Sequence, residues 1–224
     1  MTAPTNPFLM AALAACVTLA GCAGAQPVRY ADIASSAKLQ ADPGGKSSRI
    51  PYAYSPEVDW RSYRSVIIDP VTIYRGRDNQ FEKISEANKH RLADYMREQF
   101  SQRLGQDLRV VDRPARDTIR VKLTLTGART TTAVLGTVLH FDLAGGPYNA
   151  VQGARGKEGV MMGSVMYAVE IEDAATGQLL SAYVTKQYPN AMNVKASFGA
   201  LAASMAGIRK GADELAEKLS AERL

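Results

Sequence analysis

The feature that most constrains this chain is an uncharged apolar segment at its N-terminus. Residues 1–21 contain no Asp, Glu, Lys or Arg, and residues 8–20 form a run rich in Ala and Leu. Such a run is too short to cross a bilayer, which takes about 20 apolar residues, but it matches the apolar part of a secretory signal, roughly 7–15 residues. We therefore expect residues 1–21 to be a signal peptide and the rest of the chain to fold after export.

The apolar run ends in Leu19, Ala20, Gly21 and Cys22, which together resemble a bacterial lipobox. In signals of this type a peptidase cuts before the cysteine, whose sulfur carries a diacylglycerol and whose freed amine is acylated, commonly by palmitate. Several acyl chains anchor a protein stably, whereas one is marginal. The alternative is an ordinary signal peptide with a coincidental cysteine. We expect lipidation of Cys22.

The residue after the cysteine bears on the membrane in which the protein is anchored. It is Ala23 and not Asp. By resemblance to the enterobacterial sorting rule, this favours the outer membrane over the inner one. We expect a lipoprotein of a Gram-negative bacterium, with its domain in the periplasm.

Cysteine content and charge exclude some function classes. The only cysteines are Cys16 and Cys22. If the first is lost with the signal and the second is acylated, no free thiol remains for catalysis or metal binding. The net charge of +5 permits contact with anionic lipid or acidic glycan, but a solvated surface with slightly more Arg than Glu is the favoured explanation. Nucleic acid is not an expected partner of an exported, anchored protein.

The mature chain divides into a tether and a domain. Residues 22–58 are dotted with Pro, Gly and Ser and show little periodicity, so we predict a tether with a reach on the order of 30 Å. Tyr30, Leu39, Tyr52 and Tyr54 within it suggest that parts dock on the domain. Residues 59–224 then form one α+β domain, and the 46% hydrophobic content of the chain is ordinary for a globular protein.

Periodicity predicts the elements of this domain. Apolar residues at spacings of three and four predict helices over 85–104 and 198–219. Alternation predicts a strand over 118–126, and β-branched or alternating runs predict strands at 65–74, 108–111, 159–172 and 178–188. The order β-α-β-β-β-β-α predicts a single, mostly antiparallel sheet of four to five strands packed against two helices. The last helix lies on the sheet or, alternatively, forms a coiled-coil seam.

The candidates for chemistry are few. His90 and His140 stand apart from any metal-binding spacing. Glu170 and Glu172 share a strand face and bind a cation or, as is commoner, pair with Lys186 across the hairpin. Asp69 is a titrating acid or bonds nearby backbone. We predict no catalytic residue, no metal and no cofactor, and hence a protein that is not an enzyme, with a hydrolase as a weak alternative.

The segment over residues 133–159 is the most function-like part of the chain. Long loops in a compact domain are usually functional or disordered. Apolar residues stand beside flexible glycines and basic residues, which is typical of a contact surface for a partner protein or lipid. The alternative is a helix or strand that covers the sheet. The predicted interaction residues are Val134, Leu135, Leu139, Phe141, Tyr148 and Arg155.

Several runs resemble one family. They are the Val58-Asp59-Trp60 run, Tyr63, the run from Val66 to Val71, and the hairpin residues Glu170, Asp173, Thr176 and Gly177. Together with the closing helix they are similar to an uncharacterised family of bacterial lipoproteins, domain-of-unknown-function family 3313, over most of the chain after about Leu39. The resemblance implies a periplasmic lipoprotein and no reaction.

These observations lead to two hypotheses about function. The first is a non-enzymatic binding module that contacts another component of the cell envelope. The second is an accessory lipoprotein of a lipid or glycan transport system, for which a lipid-sized apolar cavity is the discriminating feature. The second hypothesis rests on fold-level analogy alone.

Overall fold

The computed structural model describes residues 25–41, 49–130, 163–189 and 199–223. A short 3-10 helix, Trp60–Ser62, precedes the central strands. The two α-helices of the described residues are α1 (Glu86–Leu104) and α2 (Ala202–Arg223). The strands are β1 (Gln40–Ala41), β2 (Tyr52–Tyr54), β3 (Ser65–Ile68), β4 (Thr72–Ile73), β5 (Gln80–Glu82), β6 (Arg109–Val110), β7 (Thr118–Arg129), β8 (Ser164–Asp173) and β9 (Leu179–Gln187).

The strands form one mixed sheet in the order β1-β2-β9-β8-β7-β3-β6. The long strand β7 organises it. One edge of β7 pairs antiparallel with β8, with Val121 opposite Ile171. The other edge pairs in parallel with β3, β4 and β5 in succession, with Val66 opposite Ile119 at the start. These three short strands therefore act as one interrupted strand along β7.

The prediction of a sheet with four to five mostly antiparallel strands is wrong, although the chain is α+β overall. The described residues form nine strands in a mixed sheet. Helix α1 carries the chain back over the sheet, so that β7 runs parallel to β3, as a crossover connection requires. The predicted strand over 65–74 is divided at Pro70, which cannot donate to the ladder. Strands β1 and β2 arise where we predicted a tether.

The larger core lies between the sheet and the two helices. Alternate residues of β8 face the helices, and Phe100 of α1 packs edge-on against Tyr167 with ring centroids 5.9 Å apart. Burial of each large apolar side chain contributes about 1.5–3 kcal/mol. This core includes Leu92, Met96, Phe100, Val165, Tyr167, Val169, Ile171, Ile208 and Leu215.

A smaller core lies on the opposite face of the sheet. Residues from the interval predicted as tether, Tyr30, Ile33 and Leu39, pack there against Ala168 and Val184. Tyr30 and Leu39 are 1% and 2% exposed. The described part of that interval is thus a third layer of the fold, and residues 22–24, next to the predicted anchor, lie outside the described residues.

Helix α2 lies directly on β8 and β9, as the first interpretation of its apolar seam predicts. Two glycines allow the close approach. A Cβ at Gly207 would stand 2.9 Å from the carbonyl oxygen of Gln187, and one at Gly211 would collide with the hydroxyl of Tyr167. The helix axis is therefore held close to the strands along this stretch.

Candidate functional site

A groove opens where helix α2 meets the outer strands β9, β2 and β1. Gln40 lies opposite Ala53, and Ala53 lies opposite Tyr183. Tyr183 in turn lies opposite Val169, which belongs to the helix-facing core. Residues directly opposite each other share a face of the sheet, so Gln40 and Ala53 also face the helix layer. The small side chain at Ala53 leaves space there.

The groove has a volume of about 450 Å³, within the range of small-molecule sites. One part of its lining is apolar and is contributed by Ala41, Ile50, Ala53 and Leu215. The other part is polar and is contributed by Gln40, Ser55, Tyr183, Gln187, Glu214 and Lys218. The groove is therefore amphipathic.

Gln187 lines the groove and carries a buried side-chain oxygen without a hydrogen-bond partner. The residue is only 2% exposed, and its side-chain amide Nε2 donates a hydrogen bond to Oε2 of Glu214 at 2.6 Å. Its Oε1 has no hydrogen-bond partner. A buried acceptor left without a partner costs about 1–3 kcal/mol, so this atom lowers the stability of the packing under α2.

Glu214 is surrounded by cations. Its Oε1 lies 3.5 Å from Nη1 of Arg49 and 3.7 Å from Nζ of Lys210. The side chain of Glu214 is 42% exposed, so each pair contributes little to stability. Burial, and then the neighbouring charge of Arg49, lower the pKa of Lys210. The carboxylate charge of Glu214 is thus locally balanced.

Tyrosine hydroxyls complete the polar side of the site. Burial, and then the charge of Glu214, raise the pKa of Tyr183, so its hydroxyl stays protonated and can donate. Beneath α2, the buried hydroxyls of Tyr167 and Thr185 have no partner, and the two residues lie opposite each other. Together with Gln187 Oε1, these atoms form a polar strip under the helix.

The predicted lipobox, Leu19, Ala20, Gly21 and Cys22, lies outside the described residues. So do the predicted interaction residues Val134, Leu135, Leu139, Phe141, Tyr148 and Arg155. The described residues that flank both segments lie at one end of the sheet. Arg129 is opposite Ser164, and the carbonyl oxygen of Ala25 accepts a hydrogen bond from Lys186, which lies opposite Met166.

The sequence candidates inside the described residues have other partners than expected. Glu172 pairs with Lys122 of β7 at 2.7 Å and not with Lys186. Asp69 pairs with Arg120 at 2.8 Å.

Of the two histidines, His140 lies outside the described residues. His90 is exposed on α1. Across residues 25–41, 49–130, 163–189 and 199–223, no group of three metal-binding side chains occurs.

Sequence reasoning missed the groove because its polar side chains come from segments far apart in the chain. Gln187 and Glu214 are 27 positions apart, and Ser55 and Ala53 precede both by more than a hundred. One signal was available. Strand β9 places the polar residues Tyr183, Thr185 and Gln187 on the face of the sheet that packs against the helices, where apolar residues are expected.

The chain belongs to the family described as protein of unknown function, DUF3313, whose family model matches residues 29–215. This confirms the family predicted from the sequence. No curated protein matches the chain at a significant level. In the part of the chain that the structure describes, neither helix has the length and apolar character to cross a bilayer.

Distant likenesses to solved structures exist. One is a PelC dodecamer from Paraburkholderia phytofirmans, with 12% identity and a TM-score of 0.38, covering 76% of this chain and 94% of that one. Another is protein XCC0632 from Xanthomonas campestris, of family model DUF330, with 9% identity and a TM-score of 0.36 over 75% of this chain and 91% of that one.

Proposed function

We propose that this protein is a non-enzymatic binding protein of the cell envelope. A lipid on Cys22 holds it at the outer membrane, and the groove beside α2 is its binding surface. The amphipathic groove, lined by apolar and hydrogen-bonding side chains, carries this proposal. Membership of the DUF3313 family agrees with it, since the resemblance implies a lipoprotein.

The chemistry of the groove favours binding over catalysis. A general base must be available to take a proton near neutral pH. Glu214 accepts from Gln187 and is paired with Arg49 and Lys210, while Tyr183 is held in its protonated form. These groups are suited to hold a ligand by hydrogen bonds.

Material that co-purifies with the anchored protein tests the proposal. We compare the wild type with Ala53→Leu, which fills the groove floor, and with Ala115→Leu, which makes the same change on an exposed loop. Quantitative mass spectrometry of bound proteins and lipids should show components lost with Ala53→Leu and kept with Ala115→Leu. The same bound components in all three proteins would overturn the proposal.

The second candidate function is that of an accessory lipoprotein in a lipid or glycan transport system. The mixed lining of the groove favours it, because apolar residues and hydrogen-bonding groups share one site of about 450 Å³. A lipid or glycan among the components lost with Ala53→Leu would support this candidate. An envelope protein among them would support the binding module.

The segment over residues 133–159 remains a proposed second contact surface. Its apolar residues and Arg155 carry that proposal from the sequence alone. The double variant Leu139→Asp, Phe141→Asp tests it. We expect the variant to fold and to lose envelope partners, and a folded variant that keeps every partner would contradict this surface.

A further inference from the structure

We propose that a second pocket, at the end of the sheet where β3 and β7 begin, binds a soluble ligand with two negative charges on oxyanion groups, of the phosphate-monoester or dicarboxylate type. This arginine pocket has a volume of about 450 Å³ and is lined by Arg61, Arg64, Asp107, Ser220 and Arg223. None of these residues lines the groove beside α2. The inference therefore goes beyond the proposed function and does not depend on what the groove binds.

Three separate segments of the chain bring the arginines to this pocket. Arg61 belongs to the 3-10 helix, which packs against α2, and Arg64 directly precedes β3. Arg223 is the last residue of α2. The sheet and the helix layer hold these segments beside one another, so the three arginines line one space.

The lining of the arginine pocket carries an excess of positive charge. Three arginines face one acid, Asp107, so two positive charges are left over. Arg64 and Arg223 form no ion pair with a carboxylate of the described residues. A cleft lined by one sign of charge concentrates ions of the opposite sign. A dianion matches the excess, whereas a monoanion leaves one positive charge unbalanced.

The hydrogen-bonding groups of the arginines suit oxyanions. A guanidinium group carries five N–H donors in a planar fork, which meets the oxygens of a carboxylate or a phosphate in pairs. Arg223 donates from Nη1 to the backbone carbonyl oxygen of Asp107 at 3.2 Å, one bond for a group with five donors. Arg61 and Arg64 are exposed, so a ligand can reach them from solvent.

The carboxylate of Asp107 limits the charge that the pocket can accept. Its Oδ2 accepts a hydrogen bond from Oγ of Ser220 at 2.7 Å, which holds the carboxylate in the pocket wall. There it offsets part of the arginine charge and repels an incoming anion. Removal of this one negative charge should therefore tighten anion binding, and a gain of affinity is a result that a folding defect does not produce.

The arginine pocket lies at the end of the sheet opposite to the predicted anchor. Arg64 directly precedes β3, which pairs with the first residues of β7, from Thr118 onward. Ala25, next to the predicted anchor, bonds to Lys186, whose level in the sheet is that of Gly127 near the other end of β7. These two levels of β7 are roughly 30 Å apart, at about 3.3 Å a residue. With the anchor at the far end, a soluble anion is favoured over the lipid head groups of the same membrane.

Calorimetric titration at low ionic strength and pH 8 tests the charge requirement. The protein is expressed from the full-length chain with Cys22 intact and is purified in an uncharged detergent. The probes are glycerol 3-phosphate and succinate, which are dianions at this pH, and acetate, which is a monoanion.

We expect at least one dianion to bind tenfold or more tightly than acetate. A preference for glycerol 3-phosphate assigns a phosphate monoester, and a preference for succinate assigns a dicarboxylate. Equal affinity for all three probes, or no binding of either dianion, would overturn the inference.

Variants locate the site. Arg64→Gln and Arg223→Gln should each weaken binding of the preferred dianion about tenfold, the value of a charged hydrogen bond. Arg91→Gln, at an exposed position of α1, is the matched control and should leave the affinity unchanged. Asp107→Asn should tighten binding about threefold, because it removes a competing charge while Ser220 keeps an acceptor.

Thermal unfolding of each variant checks its fold, and Asp107→Asn keeps the test decisive if an arginine variant does not fold. Wild-type affinity in both folded arginine variants, or unchanged or weaker binding in Asp107→Asn, would overturn the arginine pocket as the site. The groove variant Ala53→Leu should bind the dianion as the wild type does. Loss of dianion binding in Ala53→Leu would place the ligand in the groove and would equally overturn the inference.

Discussion

The carboxylate of Glu170 accepts a hydrogen bond from the backbone N–H of Ser35 at 2.6 Å, although the two residues are 135 positions apart. Both are buried, at 5% and 1% exposure. This bond ties the segment that follows the predicted anchor to the centre of the sheet. Similar bonds join Ala31 to Asp78 and Ala25 to Lys186.

Replacing Glu170 by Ala should loosen this segment. The backbone N–H of Ser35 would lose its buried acceptor, which costs about 1–3 kcal/mol. We expect a lower free energy of unfolding in urea and faster hydrogen exchange over residues 30–36. Glu98→Ala, on the exposed face of α1, is the control and should change neither. Unchanged exchange in the Glu170 variant would contradict the role of this bond.

Gly211→Ala should destabilise the packing of α2 on the sheet. The added Cβ would collide with the Tyr167 hydroxyl, and overpacking of this kind costs about 1–3 kcal/mol. Tyr167→Phe alone should be neutral or stabilising, because the lost hydroxyl is buried and has no partner. The double variant should recover part of the loss in urea unfolding. Strictly additive effects would show that the two residues do not meet.

Acid should act on the β8–β9 hairpin through Asp173. Burial raises the pKa of this carboxyl, but hydrogen bonds from Thr176, Tyr63 and Ala175 outweigh it and hold the pKa below its usual value. A lowered pKa in the folded state stabilises the fold above the unfolded pKa of about 3.9, and this contribution is lost as the pH falls through the folded pKa.

The pH dependence of Asp173→Asn measures this contribution. Between pH 5 and pH 2.5, urea unfolding should show a shallower loss of stability for this variant than for the wild type. Asp94→Asn, at an exposed position of α1, should keep the slope of the wild type. A wild-type slope in the Asp173 variant would mean that the hairpin does not depend on the carboxylate.

Cys22→Ser should release the protein from the membrane. Without the thiol no diacylglycerol can be attached, so palmitate labelling should vanish and the protein should move to the soluble periplasmic fraction. The matched variant Cys16→Ser lies inside the predicted signal and should keep both the label and the outer-membrane fraction. Labelling that persists in Cys22→Ser would contradict the predicted lipobox.

Local signals in the sequence predict local structure well here. Ser85 caps α1, its Oγ accepting from the amide of Asn88 at 3.3 Å, and the helix ends at Leu104 as the spacing of apolar residues predicts. The alternation in β7 is likewise visible, because every second side chain enters the helix-facing core. Such features depend on neighbours within a few positions.

The sheet topology and the groove could not be predicted in this way. Strands β1 and β2 have two and three residues, too few for a pattern, and β2 joins the sheet through β9, more than a hundred positions away. In the sequence, Glu170 is one of three acidic residues that lie close together, with Glu172 and Asp173. Its actual partner is a backbone amide in a distant segment, which no local pattern indicates.

The most direct test of the account is photo-crosslinking in cells from a single residue in the groove. A photoreactive amino acid replaces Ser55, at the exposed rim of the groove, or Arg91, exposed on α1, in the full-length protein with Cys22 intact. We predict a discrete adduct from position 55 that is absent from position 91 and disappears when Ala53→Leu fills the groove. Identical adducts from both positions, or none from position 55, would contradict the assignment of the groove as the binding surface.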